Sequence, residues 1–363
     1  MRFDLLDGVR GHLLFMMMLA HLGAQPGMGY LYDVHHVRII QLLSAEFLVI
    51  LSGLLVGILY VIKFQERRKL ARFLNQRIRK IYVYYLISAG PFLMFLVLEG
   101  GGLGQFAFGV GEVLLIQNGG AYSDILPIYV YCFALLFVLS FGLAYLPQIT
   151  LLIPSALIYV ASLFNYDGGV FGWGGKFLVF DIAAWQFLFF LSYLAGLYFR
   201  EIVDWVNDLS ETAFVALLVI CAGFALGQRW AFWYPALGEM PDGVPGNWFR
   251  MHLHPVHILR TFAVAAFVTV VMIRAVPLTA WLTKVFRWYF SLPLLRYCGI
   301  WAIQMFVIHV YVIALFAYLL PQWGATARFG WAVAFQAGYM LIPYFIHYGV
   351  VRRRQVLAAR SAS

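Results

Sequence analysis

Charged side chains are scarce in this chain, at 11% of its 363 residues, whereas apolar residues make up 63%. This composition excludes an ordinary soluble domain, because a water-facing surface needs far more charge. The sequence has no polar block long enough for a second domain and no evident internal repeat. We therefore predict an all-α, polytopic membrane helix bundle in which residues 1–363 form a single integral-membrane domain and 351–363 form a basic tail.

Cysteine is also rare, and the three copies lie in or beside apolar runs at Cys132, Cys221 and Cys298. An odd number with this spacing predicts neither a disulfide framework nor a metal site. His252, His254 and His257 are close in sequence, but no carboxylate or cysteine completes a convincing set of metal ligands. We expect no metal and no permanently bound cofactor, and the sequence leaves the roles of these histidines open.

Apolar runs of about twenty residues are long enough to cross a bilayer as helices. They predict about ten spans, at approximately 5–24, 39–62, 81–98, 125–146, 149–165, 177–199, 212–228, 257–275, 298–320 and 329–350. The segment 105–117 is apolar but interrupted by glycines, which favours a re-entrant or interfacial piece. Further spans follow the first run, so we interpret that run as an anchor rather than a cleaved signal peptide.

The net charge of +9 is distributed unevenly among the connecting segments. The N-terminal end, the loops after even-numbered spans and the C-terminal tail hold nineteen Lys and Arg residues, against five in the opposite set. This bias predicts that both termini are cytoplasmic. The basic charge is then a topology signal and an attraction to anionic membrane lipid, so we expect no nucleic-acid partner.

Arg10 and His21 are eleven residues apart on the first predicted span. Eleven residues make just over three helical turns, so both side chains share one face about 16 Å apart along the axis. If Arg10 marks the aqueous edge, His21 lies near the middle of a hydrocarbon core about 30 Å thick. A titratable base at that depth is costly and indicates function. Arg10 either binds an anionic group or extends to lipid phosphate.

Glu46 lies a few residues inside the outer end of the second span. An intramembrane carboxylate of this kind is expected to orient His21 and stabilise its imidazolium, as in other acid–base pairs. The alternative is a structural carboxylate paired with an arginine. The Ser52-Gly53 pair in the same span favours close helix packing rather than chemistry.

Other cations are candidate binding residues. Arg77 and Lys80 precede the third span at i and i+3, so they share a helix face that could grip phosphates, although a topology role is equally compatible. Arg260 lies one turn inside the eighth span and needs a partner such as Glu46 or Asp181. His309, Gln304, Asp181 and Gln186 are further buried polar candidates, and packing hydrogen bonds are the commoner role for such residues.

The Leu6-Asp7-Gly8-x-Arg10-Gly11 opening, with its R-x10-H pair, resembles the acyltransferase-3 family of membrane acyltransferases. Residues 47–53 (FLVILSG) are similar to its second-helix signature, and Arg77-x-x-Lys80 is similar to its paired basic motif, with Lys in place of the usual second Arg. Residues 124–129, 184–189 and 295–297 resemble the OpgC branch, which succinylates osmoregulated periplasmic glucans. The resemblance runs from about residue 3 to 350.

The resemblance implies an enzyme of the bacterial inner membrane that uses acyl-CoA as donor substrate and a periplasmic glucan or other carbohydrate as acceptor. The branch resemblance implies succinyl-CoA as the donor. His21 would be the general base and Glu46 would hold its imidazole. Arg10, Arg77 and Lys80 would steer the CoA phosphates and the thiol, and Arg260 would face the succinyl carboxylate or the oxyanion.

Three alternatives remain open at this stage. A secondary transporter or flippase of an anionic solute also places ionisable residues near the midplane, but commonly with repeated halves. A sensor or scaffold could retain the site residues without turnover. An acyltransferase could instead use His309 as its base. The residues alone do not distinguish succinyl from acetyl, and they identify neither the exact acceptor nor the oligomeric state.

Overall fold

The computed structural model describes residues 4–36, 42, 44–64, 66–118, 120, 122–143, 145–164, 180–226 and 253–362. Within these residues the regular elements are all helices, which confirms the predicted all-α class. The α-helices are α1 (Asp4–Gly23), α2 (Ser44–Lys63), α3 (Arg67–Ser88), α4 (Gly90–Leu98), α5 (Leu103–Leu114), α6 (Ile125–Gly142), α7 (Leu152–Leu163), α8 (Ile182–Leu197), α9 (Phe199–Asp208), α10 (Glu211–Leu226), α11 (Pro255–Ile273), α12 (Ala280–Phe290), α13 (Pro293–Ile300), α14 (Ala302–Leu319) and α15 (Ala325–Ala362). Short 3₁₀ turns lie at Gly29–Val34, Gln148–Leu151 and Leu320–Gln322.

Seven helices in the described ranges are long and apolar enough to cross a membrane. The count becomes eight if α8 and α9, which meet at a 65° bend, form one broken span. The fifth and seventh predicted spans appear as the shorter apolar helices Gln148–Leu163 and Glu211–Leu226, and the glycine-interrupted 105–117 segment contains α5. The chain is therefore a multi-pass helical protein, while the predicted total of ten spans and the cytoplasmic termini stay predictions.

The contacts divide the chain into two compact units. The split unit combines Met1–Ser44 with Trp281–Ser363, and the central unit is Ala45–Ala280. The predicted single domain over 1–363 stays a prediction. The predicted basic tail is helical as far as Ala362, because α15 continues through it.

In the split unit, α1 packs most closely against α13, and α14 and α15 complete its surroundings. Glycine makes this approach possible. A Cβ added at Gly8 would overlap the backbone of Phe290, and one added at Gly11 would overlap the backbone of Leu295. From the other side, a Cβ at Gly299 would overlap the carbonyl of Asp7. The backbones therefore touch directly, in the manner of small-residue interfaces in membranes.

In the central unit, the main helix pairs are α3 with α6, α7 with α8 and α10 with α11. A Cβ at Gly53 would overlap the carbonyl of Phe189, and one at Gly57 would overlap that of Tyr193. The Ser52-Gly53 pair thus serves close packing of α2 on α8, as predicted. Asp181 caps the start of α8, since its carboxylate accepts hydrogen bonds from the amides of Ala183 and Ala184.

Candidate functional site

An imidazole pair lies inside the split unit. His21 sits in the last turn of α1, and its Nδ1 lies 2.6 Å from Nε2 of His309 on α14. The two rings are stacked, with centroids 4.8 Å apart. His309 is buried, whereas His21 keeps partial exposure. The structure therefore joins the residue predicted as general base to the residue named as the alternative base.

A backbone carbonyl fixes which imidazole donates the hydrogen bond in this pair. His309 Nδ1 lies 2.7 Å from the carbonyl oxygen of Phe306, which can only accept a hydrogen bond. In the neutral pair, His309 therefore carries its proton on Nδ1 and presents the lone pair of Nε2 to His21. The Nδ1–H of His21 donates to that lone pair, and the second nitrogen of His21, Nε2, keeps its own lone pair. This tautomer is the one that a general base requires.

Arg10 lies on the same helix as His21 and is held by two contacts. Its Nη1 donates to the Asp7 carboxylate at 3.0 Å and to the Gly299 carbonyl at 3.3 Å. These contacts leave the other guanidinium N–H groups for further bonds, because arginine has five donors. Arg10 therefore ties α1 to the end of α13, and its predicted role toward an anionic substrate stays a prediction.

Glu46 has a histidine partner in the central unit. Its Oε1 lies 3.2 Å from Nε2 of His257, and both side chains are buried. Glu46 is in the first turn of α2 and His257 is in the first turn of α11. The predicted pairing of Glu46 with His21 joins residues of two different units and stays a prediction. Sequence reasoning named His257 only as a possible metal ligand and missed its pairing with a carboxylate.

Arg260 is buried on α11, three residues after His257, and its Nη2 donates to the carbonyl of Ala225 on α10 at 3.4 Å. This bond accounts for part of the donor capacity of a guanidinium inside a helix bundle. Asp181, one of the predicted partners, is a helix cap. The predicted role of Arg260 toward a carboxylate or an oxyanion stays a prediction.

Arg77 and Lys80 are exposed on α3, at the i, i+3 spacing expected from the sequence. The Arg77 guanidinium lies 5.4 Å from the centre of the Phe73 ring, and the Lys80 ammonium lies 6.0 Å from that of Tyr84. Aromatic rings beside both cations hold them at the surface of α3. Their predicted binding of CoA phosphates stays a prediction.

A second imidazole group on α1 was not predicted. His12 Nδ1 lies 2.9 Å from the hydroxyl of Tyr289, and its ring lies 5.5 Å from that of His36. The His35 ring lies 4.3 Å from the His36 ring at an interplanar angle of 50°, and His35 donates from Nε2 to the Met16 carbonyl at 2.9 Å. Burial lowers the pKa of His35, although the bond to Met16 opposes this. The adjacent His35-His36 pair beside an apolar span was the available signal.

Several other polar residues have packing roles. Gln186 Nε2 donates to the carbonyls of Ser155 and Ala183, and its Oε1 accepts from the Ser155 hydroxyl. In the described ranges, no group of three or more His, Cys, Asp or Glu residues is placed to hold a metal ion. His252, named in the sequence as a possible ligand, lies outside the described residues, as does most of the preceding loop.

These features define the class of the protein: within the described residues it is a multi-pass, all-helical membrane protein with buried and partly buried ionisable pairs between its helices. A family model described as OpgC protein matches residues 2–100 and 106–355. The chain therefore belongs to the OpgC family, which confirms the branch resemblance, and this membership indicates a glucan-modifying acyltransferase. No curated protein and no solved structure matches the chain.

Proposed function

We propose that this protein is an O-acyltransferase of the bacterial inner membrane that moves a succinyl group from cytoplasmic succinyl-CoA to hydroxyl groups of a periplasmic glucan. Family membership supports the transferase class and the glucan acceptor. The observation that carries the proposed mechanism is the His21–His309 pair, because it presents the lone pair of His21 on Nε2. An alcohol is a weak nucleophile until a positioned base removes its proton.

The proposed step is acyl transfer from sulfur to oxygen. The hydroxyl oxygen of a glucose unit attacks the thioester carbonyl, and His21 Nε2 accepts the hydroxyl proton. The tetrahedral intermediate collapses, the carbon–sulfur bond breaks, and the succinyl ester forms. CoA leaves as the thiolate and recovers the proton from the His21 imidazolium. The products are a glucan succinate and free CoA, so protons and electrons balance.

In this proposal His309 orients His21, a role that the sequence had given to Glu46. The Phe306 carbonyl holds the proton on His309 Nδ1, so Nε2 remains the acceptor that fixes the His21 ring. A neutral imidazole can also accept part of the positive charge that develops on His21 during proton transfer. Glu46 stays a predicted partner of the base, with His257 as its observed partner.

The cations complete the proposal on the donor side. Arg10, Arg77 and Lys80 bind the phosphates of the CoA moiety and guide the thiol end toward His21. Arg260 faces the succinyl carboxylate or the oxyanion of the intermediate. Anionic membrane lipid is the remaining expected partner, because exposed cations on α3 suit its headgroups.

Purified protein in liposomes tests the proposal with succinyl-CoA, acetyl-CoA and a glucan. Succinyl transfer adds one carboxylate per site and makes the glucan more anionic in electrophoresis, whereas acetyl transfer adds no charge. We expect the wild-type protein to succinylate the glucan and His21→Ala to lose about 10²–10⁴-fold of that rate. Equal succinylation by a folded His21→Ala variant would remove His21 as the base. Movement of labelled solute across the liposome membrane without any ester formation would favour the transporter alternative.

A further inference from the structure

The Glu46–His257 pair has the arrangement of a carboxylate–imidazole dyad, and it lies in the central unit. The Glu46 carboxylate accepts a hydrogen bond from His257 Nε2–H at 3.2 Å. Glu46 has no exposed surface and His257 is 9% exposed, so water competes little for this bond. A carboxylate on one ring nitrogen fixes the tautomer, as it does for histidines that act on substrates elsewhere.

That tautomer leaves the Nδ1 lone pair of His257 as a hydrogen-bond acceptor. Among the described residues, neither a side chain nor a backbone group bonds to His257 Nδ1. His257 Nδ1 is not among the fully buried polar atoms that lack a partner, so a ligand can reach this acceptor. A ligand that binds there must supply a donor, such as an N–H or O–H group.

The position of His257 in the helix gives the ligand a direction of approach. His257 is in the first turn of α11, and Glu46 is in the first turn of α2. In the orientation predicted from the loop charges, both helices begin on the outer side of the membrane. A glucan arrives from that side and presents hydroxyl donors, whereas acyl-CoA arrives from the other side.

We infer that His257 binds a hydroxyl group of the glucan acceptor through Nδ1, with Glu46 as the positioning residue that holds the ring. This inference rests on the proposed function, since it assigns the acceptor side of the same reaction. The contact is a binding contact. It orients the acceptor through a hydroxyl other than the one that is esterified.

Two substitutions test the roles of the two ring nitrogens of His257 separately. His257→Gln places an amide near the position of Nε2, so the donor to Glu46 is kept and the Nδ1 acceptor is lost. His257→Asn places an amide oxygen near Nδ1, so the acceptor is kept and the bond to Glu46 is lost. The control is His254→Gln, because His254 is a second imidazole three residues away whose ring nitrogen accepts a bond from the amide of Val256 in the helix cap.

The KM values for the glucan and for succinyl-CoA, measured with the protein in liposomes, test the inference. We expect His257→Gln to raise the KM for the glucan about tenfold, the equivalent of one lost hydrogen bond in a buried site, with the KM for succinyl-CoA unchanged. His257→Asn should stay closer to the wild-type KM but unfold at a lower temperature. His254→Gln should match the wild type in both. An unchanged glucan KM in His257→Gln, or equal losses for donor and acceptor, would overturn the inference.

Direct binding keeps this test separate from the proposed reaction. Calorimetric titration of the purified protein with glucose oligosaccharides measures acceptor affinity without turnover. If the wild type transfers no acyl group but binds oligosaccharide more tightly than His257→Gln does, the proposed function is refuted and the acceptor site is supported. Succinyl transfer by the wild type together with equal oligosaccharide binding by both proteins would refute the acceptor site alone.

Discussion

His21 Nδ1 and His309 Nε2 are 2.6 Å apart, and the carbonyl of Phe306 holds the other side of the His309 ring. The orienting group of the proposed base is thus a second imidazole rather than a carboxylate. An imidazole places no fixed negative charge beside the base, so the pair can stay neutral inside a helix bundle. The acceptor nitrogen of His309 helps to orient the His21 ring.

Removal of that acceptor should slow the reaction. We expect His309→Leu to lower kcat for glucan acylation by up to about 10²-fold, because a loose His21 ring loses its aligned geometry. His309→Gln keeps an amide oxygen near Nε2 and should retain more activity. Initial rates with saturating succinyl-CoA measure both variants. His347→Gln is the control, since the His347 ring stacks on Tyr297 in the same unit. Equal rates in His309→Leu and wild type would show that His21 needs no orienting partner.

The glycine contacts of α1 and α13 should be sensitive to a single methyl group. We expect Gly8→Ala and Gly299→Ala to destabilise the protein by about 1–3 kcal/mol, because each new Cβ meets backbone rather than a flexible side chain. Gly338→Ala on α15 meets open space and should be neutral or slightly stabilising. Thermal unfolding in detergent measures all three. A Gly299→Ala midpoint equal to that of Gly338→Ala would contradict the direct backbone contact.

Substitutions on the basic face of α3 test whether its cations bind phosphate specifically or attract anions through their charge alone. We expect Arg77→Gln and Lys80→Gln each to raise the KM for succinyl-CoA several-fold, with a weaker effect at high salt. Arg72→Gln is the control, because Arg72 is also exposed on α3 but lies outside the Arg77-x-x-Lys80 motif. Initial rates against succinyl-CoA concentration measure the effect. Equal KM changes in all three variants would favour a general attraction to anions or lipid.

His35 should make the stability of the split unit depend on pH. Burial lowers the pKa of His35 in the folded state below its usual value of 6.5. The unfolded chain therefore binds a proton more readily, and stability is complete above about pH 6.5 and declines as the pH falls below it. We expect His35→Gln, which keeps a donor for the Met16 carbonyl, to flatten this decline. Unfolding midpoints from pH 7.5 down to about pH 5 measure both proteins, and parallel curves would exclude His35 as the titrating group.

The helices and their approximate bounds could be predicted because apolar runs are local signals. The first predicted span, 5–24, corresponds to Asp4–Gly23, and the eighth, 257–275, to Pro255–Ile273. The fifth and seventh predicted spans correspond to shorter apolar helices, because polar and glycine residues shorten their apolar runs. The sequence alone then does not distinguish a short apolar helix from a membrane-spanning helix.

The partners of the site residues could not be predicted in the same way. His21 and His309 are 288 residues apart, and Glu46 and His257 are 211 apart. Periodicity gives the face of a helix that is buried but does not say which helix covers it. Glu46 was assigned to the nearest suitable base in sequence, whereas its observed partner comes from a helix far along the chain.

The split unit is assembled from segments on either side of the central unit. Residues 4–36 leave the ribosome before the central unit, and α13 follows only after the whole central unit has been made. At about 5–20 residues per second, that interval is on the order of tens of seconds. During it, the glycine face of α1 must be covered by lipid, by a chaperone or by the insertion machinery. Biogenesis thus sets a checkpoint: the proposed base on α1 meets His309 only after the central unit has been made, so a chain that stops before α14 cannot assemble the imidazole pair.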